Sequence, residues 1–181
     1  MEILVILIFV VILVGILLII FAEIYNKFQT YIIRINEAEA DIDSVLRKRF
    51  DLLNRSVSVI RGNIETDKEV LEIIVKLRSR KLTNFELDRI LYEAINEFNT
   101  YKEEYPSLNK VETFLKIAGA LNESETEIYA LRKYYNEVIT NYNKLMMQIP
   151  SNLIGLIFKY KIKNYFDGKN MADEVYNDFK L

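Results

Sequence analysis

The residues best placed to do chemistry in this chain are three charged side chains at positions where a helix would normally bury an apolar one. Apolar residues recur at steps of three and four along 28–59 and again along 111–149, so each run forms a seam, meaning a row of side chains on one helix face. Arg49 falls on the first seam, and Glu125 and Arg132 fall on the second. An unpaired charge in such a row costs several kcal/mol, so each of the three needs a partner.

Antiparallel packing of the two runs predicts which charges pair. On that register Arg49 lies opposite the turn that holds Glu125, while Asp43 lies within a turn of Arg132. We therefore expect two ion pairs between the helices, Arg49–Glu125 and Asp43–Arg132, that fix their register. The alternative is that these side chains extend to a solvated edge of the seam and remain unpaired.

The same charges are the candidates for a catalytic group, and they suit that task poorly. Each carboxylate has a cationic neighbour that would lower its pKa rather than hold it near neutrality. The sequence has no histidine and no cysteine, which removes thiolate chemistry, the commonest acid–base side chain and the usual ligands of zinc, copper and haem. A bundle that holds two iron ions would need a Glu-x-x-His repeat. We expect no enzyme activity, no metal site and no cofactor.

The composition predicts a helical protein without a surface for nucleic acid. With 24 basic and 26 acidic side chains in 181 residues, the chain has no overall positive field to attract phosphates. It has only five glycines and two prolines, the residues that most disfavour helices.

The amino-terminal segment is apolar enough to anchor the chain in a membrane. Ile3 to Ala22 contains no charge, and a helix of that length spans about 30 Å, the thickness of a bilayer's hydrocarbon core. A cleaved signal peptide would have a basic start and a shorter apolar run, so a retained single-pass anchor is favoured. Lys27 and Arg34 follow the span and no basic residue precedes it, which predicts an outside amino terminus and a cytoplasmic body at the cell membrane.

Helix signals then divide the rest of the chain. The first seam continues from the anchor to Gly62-Asn63, a second helix is predicted over 66–80, and a third begins at Thr83 or Asn84 and runs to about Glu104. Tyr105-Pro106-Ser107 predicts a turn, and the second seam predicts a long fourth helix stopped at Pro150. We expect an all-α protein: an anchor at 1–22, an elongated antiparallel four-helix bundle over 23–149 and an amphipathic tail at 150–181.

Short motifs follow one another in order along most of the chain. They are Tyr25-Asn26, the Ala38-x-Ala40-x-Ile42-Asp43 to Asp51-Leu52 block, Asp67 to Glu72, Tyr105-Pro106-x-Leu108, Phe114-Leu115, Leu121-x-Glu123-x-Glu125, Arg132-Lys133-x-Tyr135-Asn136, Tyr142-Asn143 and Pro150 to Ile154. In this order they resemble the LemA family. Two stretches depart: 53–57 lacks the proline of the family's Ile-Pro-Asn-Leu-Val, and 78–105 matches poorly. The resemblance implies a bundle on one amino-terminal span. It implies no biochemical activity.

The tail after Pro150 has two interpretations. An apolar cluster over 153–158 precedes Lys159, Lys161 and Lys163. The segment could lie at the bilayer surface, with the lysines near anionic headgroups. Alternatively, the apolar cluster folds back over the end of the bundle and the lysines are solvated.

Three functions are compatible with these features. The favoured one is a membrane-anchored scaffold or adaptor whose helical surface recruits another protein. The alternative is a lipid-interacting protein that binds or remodels the membrane surface through its basic, aromatic tail. An enzyme or transporter subunit ranks last. The predicted partners are thus the lipid bilayer, an unidentified protein or a second copy of the chain, and not nucleic acid.

Overall fold

The first helix runs without interruption from the apolar segment into the body of the protein. In the computed structural model, which describes residues 1–65 and 82–166, this helix is α1, Glu2–Asn63. No proline interrupts it, and it ends just after Gly62, where the Asn63 side chain donates a hydrogen bond to the Val59 carbonyl at 2.7 Å. Among the described residues, one helix contains an apolar stretch long enough to cross a membrane, and it is α1.

Helix α2, Asn84–Glu104, begins at the position that the sequence predicts, and Thr83 caps it. The Thr83 hydroxyl accepts a hydrogen bond from the Glu86 backbone N–H at 3.3 Å, and the Glu86 carboxylate accepts one from the Thr83 N–H at 2.9 Å. These bonds satisfy donors that a helix start leaves open. They also lower the pKa of the Glu86 carboxyl, mainly through the backbone N–H of Thr83. The predicted start and end of this helix are confirmed.

The turn at Pro106 is a short 3-10 helix, Pro106–Lys110, and it leads into the long helix α3, Glu112–Met147. A fourth helix, α4, Ser151–Ile157, follows Pro150. The described residues therefore form an all-α protein, as predicted, with no strand among them. The predicted helix at 66–80 lies outside the described residues.

The chain divides into two compact units. The first consists of Met1–Glu37 and Tyr135–Tyr165, and its core contains Phe28, Ile35, Ile139, Tyr142 and Ile154. In it, the rings of Phe28 and Tyr142 meet edge to face at 5.9 Å. Because α1 and α3 run antiparallel here, the end of the apolar segment meets the chain that follows α3.

The second unit comprises Ala38–Tyr134 together with Phe166 among the described residues. Helices α1, α2 and α3 contribute its core, which contains Leu46, Leu53, Leu91, Phe98 and Phe114. The rings of Phe98 and Phe114 stack at 4.8 Å between α2 and α3. The boundaries predicted at residues 22 and 149 stay a prediction.

Candidate functional site

A cluster of four charged residues lies in the core of the second unit. We call Arg49, Asp88, Glu125 and Arg132 the charge cluster. Arg49 is fully buried, and its Nη2 donates a hydrogen bond to the Glu125 carboxylate. Its Nη1 lies 3.6 Å from an Asp88 carboxylate oxygen. Arg49 of α1 is thereby paired with both α2 and α3.

Asp88 is the carboxylate that connects the two arginines. It is 2% exposed, and both its oxygens accept hydrogen bonds from Nη2 of Arg132. The Arg132 guanidinium also lies over the Phe166 ring, 5.6 Å from its centre, a cation–π contact. Two cations and two carboxylates thus balance one another inside the unit.

The seams explain why these side chains point inward. On α1, Ile42, Leu46, Arg49 and Leu53 follow one another at three- or four-residue steps, and all four are buried. Ser56 continues the row, and its hydroxyl donates to the Leu53 carbonyl at 2.7 Å. A serine in a seam is therefore satisfied within its own helix, whereas an arginine there needs a partner from another helix.

The structure places Arg49 against Glu125, but the expected Asp43–Arg132 pair is wrong. Asp43 instead accepts a hydrogen bond from Arg47 at 2.7 Å on the exposed side of α1. It directly follows buried Ile42, so it projects about 100° away from the seam. Arg132 turns to Asp88 of α2, a helix that the two-helix register did not include.

Asp88 is the residue that sequence reasoning missed. It is the first member of a buried row on α2, with Leu91, Ala94, Phe98 and Tyr101, at steps of three and four. A carboxylate in such a row is the same signal that singled out Glu125. It was available in the sequence.

The arrangement binds helices to one another rather than presenting a reactive group. Arginine stays protonated in proteins, so neither cation can exchange a proton with its carboxylate. Nε and Nη1 of Arg49 and Nε of Arg132 are buried without a hydrogen-bond partner. Across residues 1–65 and 82–166, no group of three or more acidic side chains is arranged to hold a metal ion.

The tail lysines lie in the first unit, along α3. Lys159, Lys161 and Lys163 are all exposed. Their backbone is held by α3: the Tyr142 hydroxyl donates to the Lys161 carbonyl at 3.0 Å, and the Asn143 amide exchanges two hydrogen bonds with the backbone of Lys163 at 2.9 and 3.0 Å. Burial raises the pKa of the phenol of Tyr142, the donor in the first of these hydrogen bonds.

The inner face of helix α4 is buried against α3 and α1: a Cβ added at Gly155 would lie 2.9 Å from the Met146 sulfur and 3.7 Å from Cζ of Phe28. Ser151, Ile154 and Gly155 are buried on that face. The ring of Phe158, just after the helix, lies 5.0 Å from the ring of Tyr25. Tyr160 lies 5.1 Å from Phe28 between ring centres. The lipid contact of the lysines stays a prediction.

The described residues form a helical body that continues directly from an apolar helix long enough to cross a membrane. The LemA family profile matches residues 38–179, most of the chain, and the chain belongs to the LemA family. The family resemblance seen in the motifs is thereby confirmed.

Curated relatives cover parts of the same body. Over 128 residues the chain is 26% identical to Protein LemA of Metamycoplasma hominis, an alignment that covers 66% of this chain and 58% of the relative. Over 80 residues it is 29% identical to Magnetosome protein MamQ 2 of Paramagnetospirillum magneticum, covering 44% of this chain and 29% of the relative. The match to MamQ 1 of the same organism has the same values. The chain thus spans less than two thirds of these relatives' own length.

Proposed function

We propose that this protein is a membrane-anchored helical scaffold of the LemA type, with a cytoplasmic body that recruits a protein partner. The observation that carries the proposal is the continuity of α1. The apolar segment and the first helix of the body are one helix, Glu2–Asn63, with no linker between them. A span in the cell membrane would therefore continue directly into the body and keep it at the bilayer, as an adaptor requires.

The outer face of α3 supports recruitment of a protein. Leu115, Gly119, Asn122, Thr126 and Tyr129 follow one another at steps of three and four, and all are exposed. The row has no charge, although 28% of the chain is charged. Tyr129 is 68% exposed. Exposed tyrosines of this kind are common anchors in protein interfaces.

The charge cluster supports a structural role for the buried ionisable groups. Each carboxylate in it is hydrogen-bonded to an arginine that belongs to a different helix. Such pairs favour one register of the helices over others. The proposal therefore assigns binding to the surface of the body and stability to its interior.

Cross-linking in intact cells tests recruitment. The tagged full-length protein is cross-linked, extracted in mild detergent and compared with Tyr129→Glu and Tyr134→Glu variants. Tyr134 is the matched control because it is 40% exposed on the same helix but about 140° around it from Tyr129. We expect a stoichiometric partner that Tyr129→Glu loses and Tyr134→Glu keeps. A preparation that yields no stoichiometric protein, or one lost equally in both variants, would contradict the proposed surface.

Single-cysteine labelling tests the orientation. Because the chain has no cysteine, Tyr129→Cys provides a unique thiol. A maleimide that cannot cross membranes should label it only after the cells are permeabilised. Labelling in intact cells would place the body outside and contradict a cytoplasmic adaptor.

A further inference from the structure

One surface of the first unit has no role in the proposals made so far for the charge cluster and for the outer face of α3. From Leu145 to Phe158 the chain contains no Asp, Glu, Lys or Arg. Lys144 and Lys159 flank this stretch directly. A charge-free segment flanked by lysines is unusual in a chain of which 28% is charged. This composition suits a segment that contacts an apolar phase with anionic groups at its edge.

Helix α4 and its flanks expose large apolar side chains. We call this surface the apolar end face; its members and their exposed fractions are Ile149 (83%), Leu153 (58%), Leu156 (76%), Ile157 (65%) and Phe158 (41%). The inner side of the same helix is already packed. The helix thus has apolar residues on both its buried and its exposed side. A contiguous exposed patch of large aliphatic side chains marks a contact surface.

The apolar end face lies beside the point where the membrane-spanning segment ends. Ala22 is the last residue of the charge-free run and Glu23 is its first charge. The ring of Phe158 lies 6.3 Å from that of Phe21 and 5.0 Å from that of Tyr25. These contacts put the carboxyl end of α4 at the same height along α1 as the end of the span.

The polar and charged side chains around this position are of the types found where a bilayer meets water. Lys144, Lys159, Lys161 and Lys163 are exposed, whereas Glu23 pairs with Lys27 at 3.7 Å. Basic residues near the surface are attracted by anionic lipid headgroups. Tyrosine rings are enriched at this depth, and Tyr25 and Tyr160 lie there.

We propose that α4 is an interfacial helix whose apolar end face lies in the lipid of the leaflet from which α1 emerges, with the flanking lysines on anionic headgroups. The occupant of this surface is therefore lipid, and the first unit touches the bilayer at two places, the span and α4. The proposal requires that α1 spans a bilayer, and it is independent of the adaptor role.

Depth-dependent fluorescence quenching tests the proposal on the full-length protein. Leu156→Cys is labelled with an environment-sensitive fluorophore, and the protein is reconstituted in nanodiscs of phosphatidylcholine and phosphatidylglycerol. Ile33→Cys is the control, because Ile33 is 65% exposed but lies about 16 Å beyond Ala22 along the same helix. Both side chains are exposed, so neither substitution should disturb folding.

The expected result is opposite behaviour of the two labels. The label at 156 should emit at shorter wavelength, be quenched by lipid carrying a nitroxide near the carbonyl end of its acyl chain, and resist iodide. The label at 33 should be quenched by iodide and should not be quenched by the nitroxide-carrying lipid. Equal quenching of both by iodide would overturn the proposal, because the face would then be in water. Protection of the label at 156 from both quenchers would also overturn it, because a protein would then cover the face.

Charge reversal tests the lysines separately. Lys159→Glu, Lys161→Glu and Lys163→Glu together should weaken nitroxide quenching at 156 in these nanodiscs. Unchanged quenching would overturn the headgroup contact. Tyr129→Glu should leave the quenching as it is, so failure of the adaptor role and failure of the interfacial helix give different results.

Discussion

The charge cluster and the apolar end face differ in opposite ways from an ordinary soluble protein: the first buries charged side chains, and the second exposes aliphatic ones. In the second unit, Arg49, Asp88 and Arg132 are buried, and Glu125, with a side chain 33% exposed, pairs with Arg49 from the edge of the cluster. Around Leu156 in the first unit, large aliphatic side chains are exposed. Buried charges are tolerable when each finds a partner from a neighbouring helix. Exposed aliphatic side chains are tolerable when water is not their solvent. The comparison teaches that the charge cluster is satisfied by contacts within the protein, whereas the apolar end face needs an apolar partner outside it, for which we propose lipid.

Removing the shared carboxylate of the charge cluster should give the largest effect. Asp88→Asn leaves Arg49 and Arg132 without their common counter-charge, which should lower the free energy of unfolding by about 3–5 kcal/mol. Urea unfolding of the full chain in detergent, followed by circular dichroism, measures this. Asp43→Asn is the control, because its pair with Arg47 is exposed and should contribute about 0–1 kcal/mol. Similar losses in both variants would remove the distinction between buried and exposed charges.

A double-mutant cycle on Arg49 and Glu125 sharpens the same point. Arg49→Met and Glu125→Gln, alone and together, should show a coupling energy of about 1–3 kcal/mol, since the pair is partly desolvated. A parallel cycle on Lys48 and Glu127, which pair at 3.1 Å with both side chains about half exposed, should give less than about 1 kcal/mol. Additive effects at Arg49 and Glu125 would mean that the pair contributes nothing specific.

Two glycine substitutions test how tightly α4 is held. A Cβ at Gly155 would lie 2.9 Å from the Met146 sulfur, whereas a Cβ at Gly119 would meet nothing within 4 Å. Gly119→Ala should stabilise the protein by about 0.5–1 kcal/mol through helix propensity. Gly155→Ala should fall short of that gain by about 1–2 kcal/mol, because Met146 must move. Equal gains in thermal unfolding experiments would show that α4 is not packed against α3.

The smallest effect is expected at an exposed carboxylate, Glu86. Its pKa is lower in the folded protein, so its contribution to stability is fully present above its unfolded pKa of about 4.3 and is lost as the pH falls through the folded pKa. Glu86→Gln should therefore lower the free energy of unfolding slightly at neutral pH, and this difference from the unsubstituted protein should vanish as the pH falls through the folded pKa. Unfolding measured between neutral and acidic pH checks this. If the free energy of unfolding depends on pH in the same way with and without Glu86→Gln, Glu86 does not contribute to the acid sensitivity of the fold.

Local sequence signals predicted the helices that depend on local chemistry. Thr83 and Asn84, as cap residues, predicted the start of α2, and Pro106 and Pro150 mark where α2 and α3 must already have ended. These features depend on residues a few positions apart, so they can be read from one sequence.

Partner choice in the charge cluster needed the third helix and was only partly predictable. The register of α1 against α3 was enough to bring Arg49 to Glu125. It could not assign Arg132, because Asp88 approaches from α2. Likewise, the apolar residues of 153–158 were compatible with the bilayer surface and with folding back over the bundle, and which of them are buried depends on how α4 turns after Pro150.

Thiol accessibility at two matched positions tests the central claim most directly. Ile33 and Ile157 are the same residue type, lie in the same unit and are each 65% exposed. In nanodiscs of phosphatidylcholine and phosphatidylglycerol, Ile33→Cys should react readily with a water-soluble maleimide, whereas Ile157→Cys should be protected. In detergent-free lipid the two rates should therefore differ, although the protein alone exposes both side chains equally. Equal rates would show that the apolar end face is in water and would contradict the account.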